Sequence, residues 1–524
     1  MEEIAIVGTG PTGIYTLFSL LERKIPLRIS LFEKAPLAGV GMPYRQDGSC
    51  NLLLANIASI EIPPIISTYL QWLLRQDESY LASFGVNKQK LHDRQFLPRI
   101  LLGEYFRDQF LALIELASAR GFNVSVHESC EVTDLSATTK GVKLWTEEMH
   151  DARLFDFVVI ATGHVWPSDD KATQHYFASP WSRLLKTNVP ACKVGIMGTS
   201  LSAIDAAMTV VNQHGKFIEH ADDKLSFDLS PRSRELRITF MSRSGILPEA
   251  DFYCPIPYEP LLVATPQAIK NEIALGSAGL LDRIFKLVAK EIGLADPAWS
   301  KRVTLERLNA DSVSCTYFKN RERYDPFRWA QYNLAEVERN KQKTHTVAWR
   351  YTILRLHEAV QEIVPHLDSI DYERFMSGLC KVFIDNYAAV PSESIRRLLA
   401  LRNAGVIDML VLGNDYNMAL QNDRTVILSC GTSHTFDVFI DARGQRPQYI
   451  KDLPFPRLKE QLILEGEVFP KLGDDYTLQA PNVARGRIAF AALPYLMQNQ
   501  PFVQGITASA KIGEAVAHAT LLRA

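Results

Sequence analysis

The sequence predicts an α/β fold with two Rossmann-like units and a helical insertion. An apolar strand over residues 4–7 breaks into glycines at positions 8, 10 and 13 and then becomes helical. A second strand, turn and helix begins at Lys193, and apolar residues recur at helical spacing from residue 265 to 405. We therefore expect four segments, residues 1–188, 189–262, 263–405 and 406–524, the last of which completes the domain that the first begins.

The first turn, Gly8-x-Gly10-x-x-Gly13, has the spacing of a dinucleotide cradle. Gly8 would permit the tight strand-to-helix turn, Gly10 would let backbone N–H groups approach a pyrophosphate, and Gly13 would let the helix pack on the strand. Pro11 and Thr12 stand at the start of the helix, where unpaired N–H groups and the helix dipole favour negative charge. We predict that these five residues hold the phosphates of a cofactor.

The second strand, residues 27–32, ends in Glu33, which follows Gly13 by 20 residues. This is the separation expected for a carboxylate that holds the ribose hydroxyls of adenosine, although Glu33 could also simply end a surface strand. A carboxylate about 4 Å from a 2′-phosphate would cost about 4 kcal/mol per pair of unit charges at an effective dielectric near 20. The first turn is therefore predicted to take FAD or NAD, with Glu33 and the adjacent Lys34 in the site.

Composition narrows the possible partners of the chain. The 57 basic and 59 acidic side chains give 524 residues a formal net charge of −2, which argues against electrostatic binding of nucleic acid or an anionic membrane. The seven cysteines lie at least 50 residues apart, so a disulfide framework and a C-x-x-C redox pair are disfavoured. The twelve histidines show no ligand spacing. We expect a cytoplasmic protein that acts on a small molecule, without a metal site.

Two further segments are expected near the first turn. A loop over residues 38–44 contains Gly41 and Met42, and could bring backbone close to a flat ligand or form an ordinary surface turn. A strongly apolar strand over residues 155–160 runs into Ala161-Thr162-Gly163. A buried parallel strand that ends in small residues places its backbone beside whatever occupies the carboxyl edge of the sheet.

Together the first glycine turn, Glu33, the segment 131–134 and Ala161-Thr162-Gly163 resemble the flavoproteins with two dinucleotide-binding folds, in which the first fold holds FAD. The resemblance implies that the backbone of Val132 meets the adenine, and that Thr162 and Gly163 lie at the junction with the pyridine-nucleotide domain. Segments 39–44, 96–105 and 198–203 resemble more specifically the bacterial FAD/NAD(P)-binding family of YdhS-like proteins, over essentially the whole chain. That family implies a cofactor more securely than a substrate.

The second turn keeps a reduced form of the glycine pattern. Gly198 retains the tight turn, Ser200 replaces the second glycine and Ala203 replaces the third. We interpret residues 189–262 as an NAD(P)H-binding segment; the alternative is a Rossmann-like unit that has lost its nucleotide. The next strand ends at Arg243, so the position that Glu33 occupies in the first unit is basic here, and Arg243 could pair with a 2′-phosphate. This predicts NADPH over NADH, although Arg243 could also be an ordinary surface residue.

The remaining segments are harder to assign. The polar stretch over residues 215–235 is expected to be an inserted loop, and one helix is expected over residues 371–384. The proline-rich loop over residues 248–260 could line a substrate pocket or link two domains, and residues 263–405 are a possible substrate region. Residues 436–444 echo residues 155–163, which suggests a return to the FAD-binding domain. Gly505 begins a small-residue helix, and in the related flavoproteins such a helix holds the flavin ring. Those proteins have Gly-Asp at the preceding strand end, where this chain has Ala491-Ala492.

These features predict an FAD-dependent NAD(P)H oxidoreductase of monooxygenase type that acts on a small metabolite. Ala161-Thr162-Gly163-x-x-x-Pro167 resembles the external flavin monooxygenases, and a disulfide reductase would need paired cysteines. Two alternatives stay open: a flavin-dependent dehydrogenase without a working NAD(P)H site, and an FAD-binding regulator without activity. The sequence identifies no catalytic residue and no oligomeric state.

Overall fold

The computed structural model describes residues 2–23, 26–46, 50–148, 151–164, 175–181, 183–221 and 224–521. The chain divides into two compact units, residues 1–165 with 445–524, and residues 166–444. The first unit opens with β1 (Glu3–Val7), α1 (Pro11–Leu21), β2 (Arg28–Phe32), α2 (Tyr69–Arg75), α3 (Glu78–Ser83), α4 (Arg99–Ala119), β3 (Asn123–His127), β4 (Val132–Thr138), β5 (Gly141–Thr146), β6 (Arg153–Phe155) and β7 (Phe157–Ile160).

The described residues of the second unit form a parallel sheet, a helical region and two small antiparallel sheets. It begins with β8 (Tyr176–Phe177), β9 (Lys193–Met197), α5 (Leu201–Val211), β10 (Gly215–Glu219), β11 (Leu225–Leu229) and β12 (Arg237–Ser242). The helices are α6 (Pro266–Ala274), α7 (Leu280–Ala295), α8 (Pro297–Val303), α9 (Val313–Phe318), α10 (Pro326–Gln342), α11 (Ala348–Gln361), α12 (Ser369–Ser377), α13 (Leu379–Tyr387) and α14 (Ser392–Asn403). The last strands are β13 (Ile407–Val411), β14 (Tyr416–Gln421), β15 (Arg424–Ser429), β16 (Thr432–Phe436) and β17 (Val438–Asp441).

The first unit is completed by α15 (Pro456–Ile463), β18 (Ile488–Phe490) and α16 (Gly505–Leu521). Its main sheet is parallel, in the order β18-β7-β1-β2-β3. Residues of β1 alternate between two cores: Ile4 and Ile6 pack with side chains of α1, α4 and α16, whereas Ala5 and Val7 pack with β4, β5 and α15. Because both faces are covered, the strand is apolar throughout, as expected of a parallel sheet.

The second unit repeats the strand order of the first. Its parallel sheet has the order β8-β17-β9-β12-β13, so β9 takes the place of β1, β12 that of β2 and β17 that of β7. Helices α6 to α14 lie between β12 and β13, two neighbouring strands. The helical insertion therefore occupies one crossover connection and leaves the order of the sheet unchanged.

The structure corrects three expectations about local organisation. Residues 406–444 belong to the second unit, because β13 and β17 pair there; the echo of residues 155–163 arises from equivalent strands in two similar sheets. The expected loop within residues 215–235 contains the hairpin β10–β11. A predicted helix over residues 371–384 is broken at Gly378, where a Cβ would lie 2.3 Å from the carbonyl oxygen of Ala310.

Histidine burial in the second unit gives a testable pH dependence. His214 is 6% exposed, its Nδ1 lies 2.8 Å from Ser233 Oγ and its Nε2 3.0 Å from the Val189 carbonyl oxygen. Burial lowers the pKa of His214, so the unfolded chain, with a pKa of about 6.5, binds the proton more readily and stability falls as the pH drops below that value.

We expect His214→Gln to weaken the loss of stability as the pH falls below about 6.5, because the glutamine amide is polar but cannot take up the proton. The measurement is urea unfolding at several pH values, with the exposed His345→Gln as the control. An unchanged pH slope in His214→Gln would contradict the assignment.

Candidate functional site

The first glycine turn lies at the carboxyl edge of the first sheet, between β1 and α1. Gly8 has φ +101°, and a Cβ there would lie 2.3 Å from the carbonyl oxygen of Ala161. A Cβ on Gly13 would lie 2.2 Å from the carbonyl oxygen of Gly8. These two glycines are therefore required by the packing of strand, turn and helix, as the spacing predicts.

Gly10 and the following loop form the open side of this turn. Gly10 is the N-cap of α1, Pro11 is the first helical residue, and the first turn contains neither a side-chain cap nor an acidic residue. A Cβ on Gly10 would lie 3.4 Å from Gly41 Cα, so the loop over residues 38–44 passes directly over the turn, with Met42 exposed. The N–H groups at the start of α1 are thus left for an anion, which fits the pyrophosphate of a dinucleotide.

Glu33 is joined to the glycine turn by Thr9. One Glu33 carboxylate oxygen accepts hydrogen bonds from the Thr9 backbone N (3.1 Å) and hydroxyl (2.8 Å), and the other accepts one from Ala35 N (2.9 Å). The Thr9 hydroxyl also accepts a hydrogen bond from Gly39 N at 3.0 Å. Sequence reasoning passed over Thr9, whose only signal is a hydroxyl between the first two glycines.

The segment before Val132 is hydrogen-bonded to the backbone of Glu33, whereas the side chain of Lys34 faces solvent. The Glu33 carbonyl oxygen accepts a hydrogen bond from Cys130 N at 2.9 Å, and Val132, two residues later, begins β4. The Lys34 side chain is exposed. The structure therefore gathers the glycine turn, Glu33 and the backbone before Val132 at one edge, an arrangement that suits an adenosine moiety.

The strand β7 brings a further predicted segment to this edge. Ala161 N donates to the Val7 carbonyl oxygen at 2.8 Å, and Thr162 Cα would be 3.2 Å from a Cβ on Gly8. Gly163 has φ +72° with open space around its Cα. Burial lowers the pKa of the next residue, His164. Val165 to Pro167, which complete the predicted motif, lie outside the described residues.

Helix α16 runs parallel to α1, with the two N-termini at the same end. The Thr12 hydroxyl donates to Ser509 Oγ (3.0 Å), and at the other end Arg23 Nη1 donates to Thr520 Oγ1 (2.9 Å). Gly505, the first residue of α16, has φ +75° and open space on its Cα. The N-termini of two helices, with their unpaired N–H groups, therefore lie side by side. The Thr12 hydroxyl makes a hydrogen bond from one helix to the other.

We expect Thr12→Val to destabilise the protein by about 1 kcal/mol, because it removes a buried hydrogen bond to Ser509 without changing side-chain volume. Urea unfolding of the FAD-free protein measures this effect. If Thr12 instead binds the cofactor through its hydroxyl, FAD affinity will fall and the unfolding midpoint of the FAD-free protein will not move.

The second turn keeps the geometry of the first with different residues. Gly198 has φ +129°, and a Cβ there would lie 2.9 Å from the Ala442 carbonyl oxygen. Ala203 is fully buried behind the turn, and the exposed Ser200 is the N-cap of α5 without a side-chain cap bond. Arg243 follows β12, the equivalent of β2, with its side chain exposed and its carbonyl oxygen bonded to Gly413 N at 3.1 Å.

Comparison with known proteins decides the family. Residues 5–165 match the FAD-NAD(P)-binding family model, and residues 265–387 match the YdhS-like middle domain. The chain is 61% identical over 521 residues to the uncharacterized protein YdhS of Escherichia coli (strain K12). The aligned region covers 99% of this chain and 98% of that protein. The chain belongs to the YdhS family.

The YdhS family match confirms the predicted resemblance and the FAD/NAD(P)-binding character of the first unit. The fold is also that of solved hydroxylases. The ornithine N-hydroxylase KtzI of Kutzneria sp. 744, whose structure holds reduced FAD, NADP+ and L-ornithine, is 14% identical over all of both chains with a TM-score of 0.54. The ornithine hydroxylase PvdA of Pseudomonas aeruginosa is 13% identical over 99% and 98% of the two chains with a TM-score of 0.50.

The helical insertion of this YdhS-family protein packs against the proline-rich loop that follows β12. Glu249, 8% exposed, lies 3.0 Å from Arg350 and accepts a hydrogen bond from Trp329 Nε1 at 2.9 Å. Asp251 lies 3.2 Å from Lys341, and Glu259 N donates to the Tyr351 hydroxyl at 2.7 Å. The loop is therefore fixed to the middle domain along its length; its role as a substrate-pocket lining stays a prediction.

The described parts of the chain form neither a metal site nor a membrane-spanning helix. There, no group of three or more His, Cys, Asp or Glu side chains is arranged to hold a metal ion. None of the described helices combines the length and the apolar character needed to cross a bilayer.

Proposed function

We propose that this protein is an FAD-dependent NAD(P)H oxidoreductase of monooxygenase type that acts on a small polar metabolite. The observation that carries the proposal is the repeat of one strand order with a glycine turn in each unit. The residue after the second strand is Glu33 in the first unit and Arg243 in the second. An acidic residue suits an adenosine ribose and a basic residue suits a 2′-phosphate, so the two turns would take FAD and NADPH.

The residues of the first unit are arranged to hold the larger cofactor. N–H groups at the start of α1 would bind the pyrophosphate, Glu33 the ribose, and the backbone near Val132 the adenine. By resemblance to related flavoproteins, the N-terminus of α16 at Gly505 would lie near the flavin. The chemistry that FAD supplies when bound is acceptance of a hydride from a nicotinamide and delivery of electrons to oxygen or another acceptor.

The second unit supplies the donor site in this proposal. N–H groups at the start of α5 behind Gly198 and Ser200 would receive the pyrophosphate of NADPH, and Arg243 its 2′-phosphate. The seven cysteines are too widely spaced in sequence to suggest a disulfide reductase. The similarity in fold to ornithine hydroxylases makes amines the first substrates to test.

The test is anaerobic mixing of FAD-loaded protein with NADPH, and separately with NADH, while the flavin absorbance is followed in a stopped-flow instrument. We expect rapid loss of the oxidised flavin band with NADPH, followed on aeration with an amine panel by a product that carries one added oxygen atom. No reduction by either nucleotide would contradict the proposal and favour a substrate-reduced dehydrogenase. Reduction without any oxygenated product would contradict its monooxygenase part.

A further inference from the structure

Hydrogen bonds to two consecutive backbone carbonyl oxygens link the second glycine turn to the middle domain. The hydroxyl of Thr199, between Gly198 and Ser200, donates to the carbonyl oxygen of Ile246 at 2.7 Å. The next carbonyl oxygen along the chain, that of Leu247, accepts a hydrogen bond from Arg321 Nη2 at 2.6 Å. Two consecutive peptide groups therefore connect the turn at one side and a buried guanidinium at the other.

Arg321 belongs to a buried ionic cluster that also holds the residues after Leu247. Its guanidinium bonds Asp385, which accepts a second hydrogen bond from the Tyr317 hydroxyl at 2.9 Å. The Glu249 carboxylate pairs with Arg350 at 3.0 Å and lies 3.9 Å from Arg321 Nε. This cluster, defined as Glu249, Arg321, Arg350 and Asp385, is contributed by the loop after β12 and by the helical insertion.

The same loop segment is also fixed through its backbone. Ala250 N donates to Asn333 Oδ1 at 2.8 Å, Asp251 N donates to the Val390 carbonyl oxygen at 2.7 Å, and Val390 N donates to the Glu249 carbonyl oxygen at 2.9 Å. On the other side of Ile246, Gly245 N donates to Ser242 Oγ at 3.0 Å. The position of the Ile246 carbonyl oxygen is thus set by the middle domain as well as by the sheet.

Burying four charged groups in a core has a large desolvation cost. The side chains of Arg321 and Arg350 are 4% and 7% exposed, and the Nε atom of each is buried without a hydrogen-bond partner among the described residues. Well-packed apolar residues of similar volume often give equal or greater stability than such a cluster, so a buried ion pair is weak evidence of a stabilising role. A role in orienting the backbone of Leu247 and Glu249 accounts for the buried cluster better.

We propose that Arg321 and Glu249 are positioning residues for the second dinucleotide site, acting through the carbonyl oxygen of Ile246 on Thr199. This rests on the proposed function in one respect, that the second turn holds NAD(P). In this arrangement the middle domain keeps the turn from Gly198 to Ser200 in the shape that leaves the N–H groups of α5 aligned. The YdhS-like insertion then acts on nucleotide affinity without contacting the nucleotide.

The test uses Arg321→Lys in the full-length, FAD-loaded protein. Lysine keeps the charge but lacks the planar fork, whose two terminal nitrogens separately bond Asp385 and the Leu247 carbonyl oxygen. Backbone amide hydrogen exchange is measured over residues 198–204, where Gly198, Ala203 and Ile204 donate backbone hydrogen bonds. We expect about fivefold faster exchange there, the size of effect that one hydrogen bond gives. NADP+ affinity should fall by a similar factor, with FAD content unchanged.

The matched control is Arg374→Lys in the same helical region. Arg374 pairs with Asp282, Asp311 and Asp371 at 2.7–2.8 Å, and none of these partners lies in residues 246–251. Its loss should leave exchange over residues 198–204 unchanged. An equal rise of exchange throughout the second unit in both variants would mean that Arg321 only stabilises the domain, and would overturn the proposal.

A double-mutant cycle with Thr199→Val separates positioning from general stability. Because both side chains act through Ile246 and Leu247, adding Arg321→Lys to Thr199→Val should have little further effect on exchange at the turn; effects that multiply would contradict the proposal. If Arg321→Lys does not fold, Thr199→Val alone should speed exchange over residues 246–251 about fivefold, and no change there would contradict it.

The proposed function and this inference fail in different ways. If the wild-type protein binds no NADP+, the second turn is not a nucleotide site, and the proposed function is wrong in that part. Hydrogen exchange needs no nucleotide, so it still reports whether Arg321 positions the turn. If NADP+ binds and exchange over residues 198–204 is the same in wild type and Arg321→Lys, the proposed function stands and the inference is wrong.

Discussion

Gly10→Ala should give a folded protein that has lost its flavin. Gly10 has φ −71°, which alanine adopts freely, and its Cβ would lie 3.4 Å from Gly41 Cα, so the FAD-free fold should tolerate the change. The methyl group would stand where the pyrophosphate approaches the N–H groups of α1. Each charge-assisted hydrogen bond lost is worth about 1.5–3 kcal/mol, which weakens FAD binding by about 10- to 100-fold.

The measurement is FAD content after purification together with titration of the FAD-free protein. Gly293→Ala, in the last turn of α7, is the control: a Cβ there meets only Ser300 Oγ at 3.6 Å, and flavin retention should be unchanged. Gly8→Ala is a poorer test of binding, since a methyl group at φ +101° would collide with the Ala161 carbonyl and unfold the turn itself. Full flavin occupancy in Gly10→Ala would refute the first turn as the cofactor site.

Arg243→Ala should abolish the preference for NADPH over NADH. Among the described residues no ion pair involves the exposed Arg243 side chain, so its removal should cost the fold little. A guanidinium on a 2′-phosphate makes charge-assisted hydrogen bonds worth about 1.5–3 kcal/mol. The ratio of the apparent NADPH and NADH affinities should therefore change by about 10- to 100-fold, through loss of NADPH binding alone.

The rate of flavin reduction at varied nucleotide concentration measures this ratio. Arg237→Ala is the matched control, because Arg237 is an exposed arginine at the amino end of the same strand, away from the carboxyl edge. It should leave the ratio unaltered. If Arg243→Ala behaves like Arg237→Ala, the selectivity for NADPH lies elsewhere and the assignment of Arg243 is wrong.

The repeat of strand order would allow one chain to carry the two nucleotide preferences that we propose. The sheets β18-β7-β1-β2-β3 and β8-β17-β9-β12-β13 place Glu33 and Arg243 at equivalent positions. The units differ in the connection after the second strand, which in the second unit holds α6 to α14. The YdhS-like middle domain, residues 265–387, is thus an elaboration of one crossover, and the loop from Leu247 to Asp251 that precedes it begins only a few residues after Arg243.

Local patterns in the sequence determined the elements of both turns. Three glycines and one carboxylate at fixed spacing define the first cradle, because tight turns and helix–strand contacts are decided within about 30 residues of chain. The apolar strands that are buried on both faces could be predicted in the same way. So could the long helices, because the spacing of apolar residues within each segment indicates a helix. The reduced second motif, with Ser200 and Ala203, indicated the second turn for the same reason.

Tertiary structure alone decided which distant residues meet. The contacts of Thr12 with Ser509 and of Arg321 with Leu247 join segments 497 and 74 residues apart in sequence, and no local pattern encodes them. The same holds for the assignment of residues 406–444 to the second unit, which depends on strand pairing, and for the close approach of Gly378 to the carbonyl oxygen of Ala310. Periodicity reports which face of an element is buried; the partner that covers the face is chosen only when the whole chain packs.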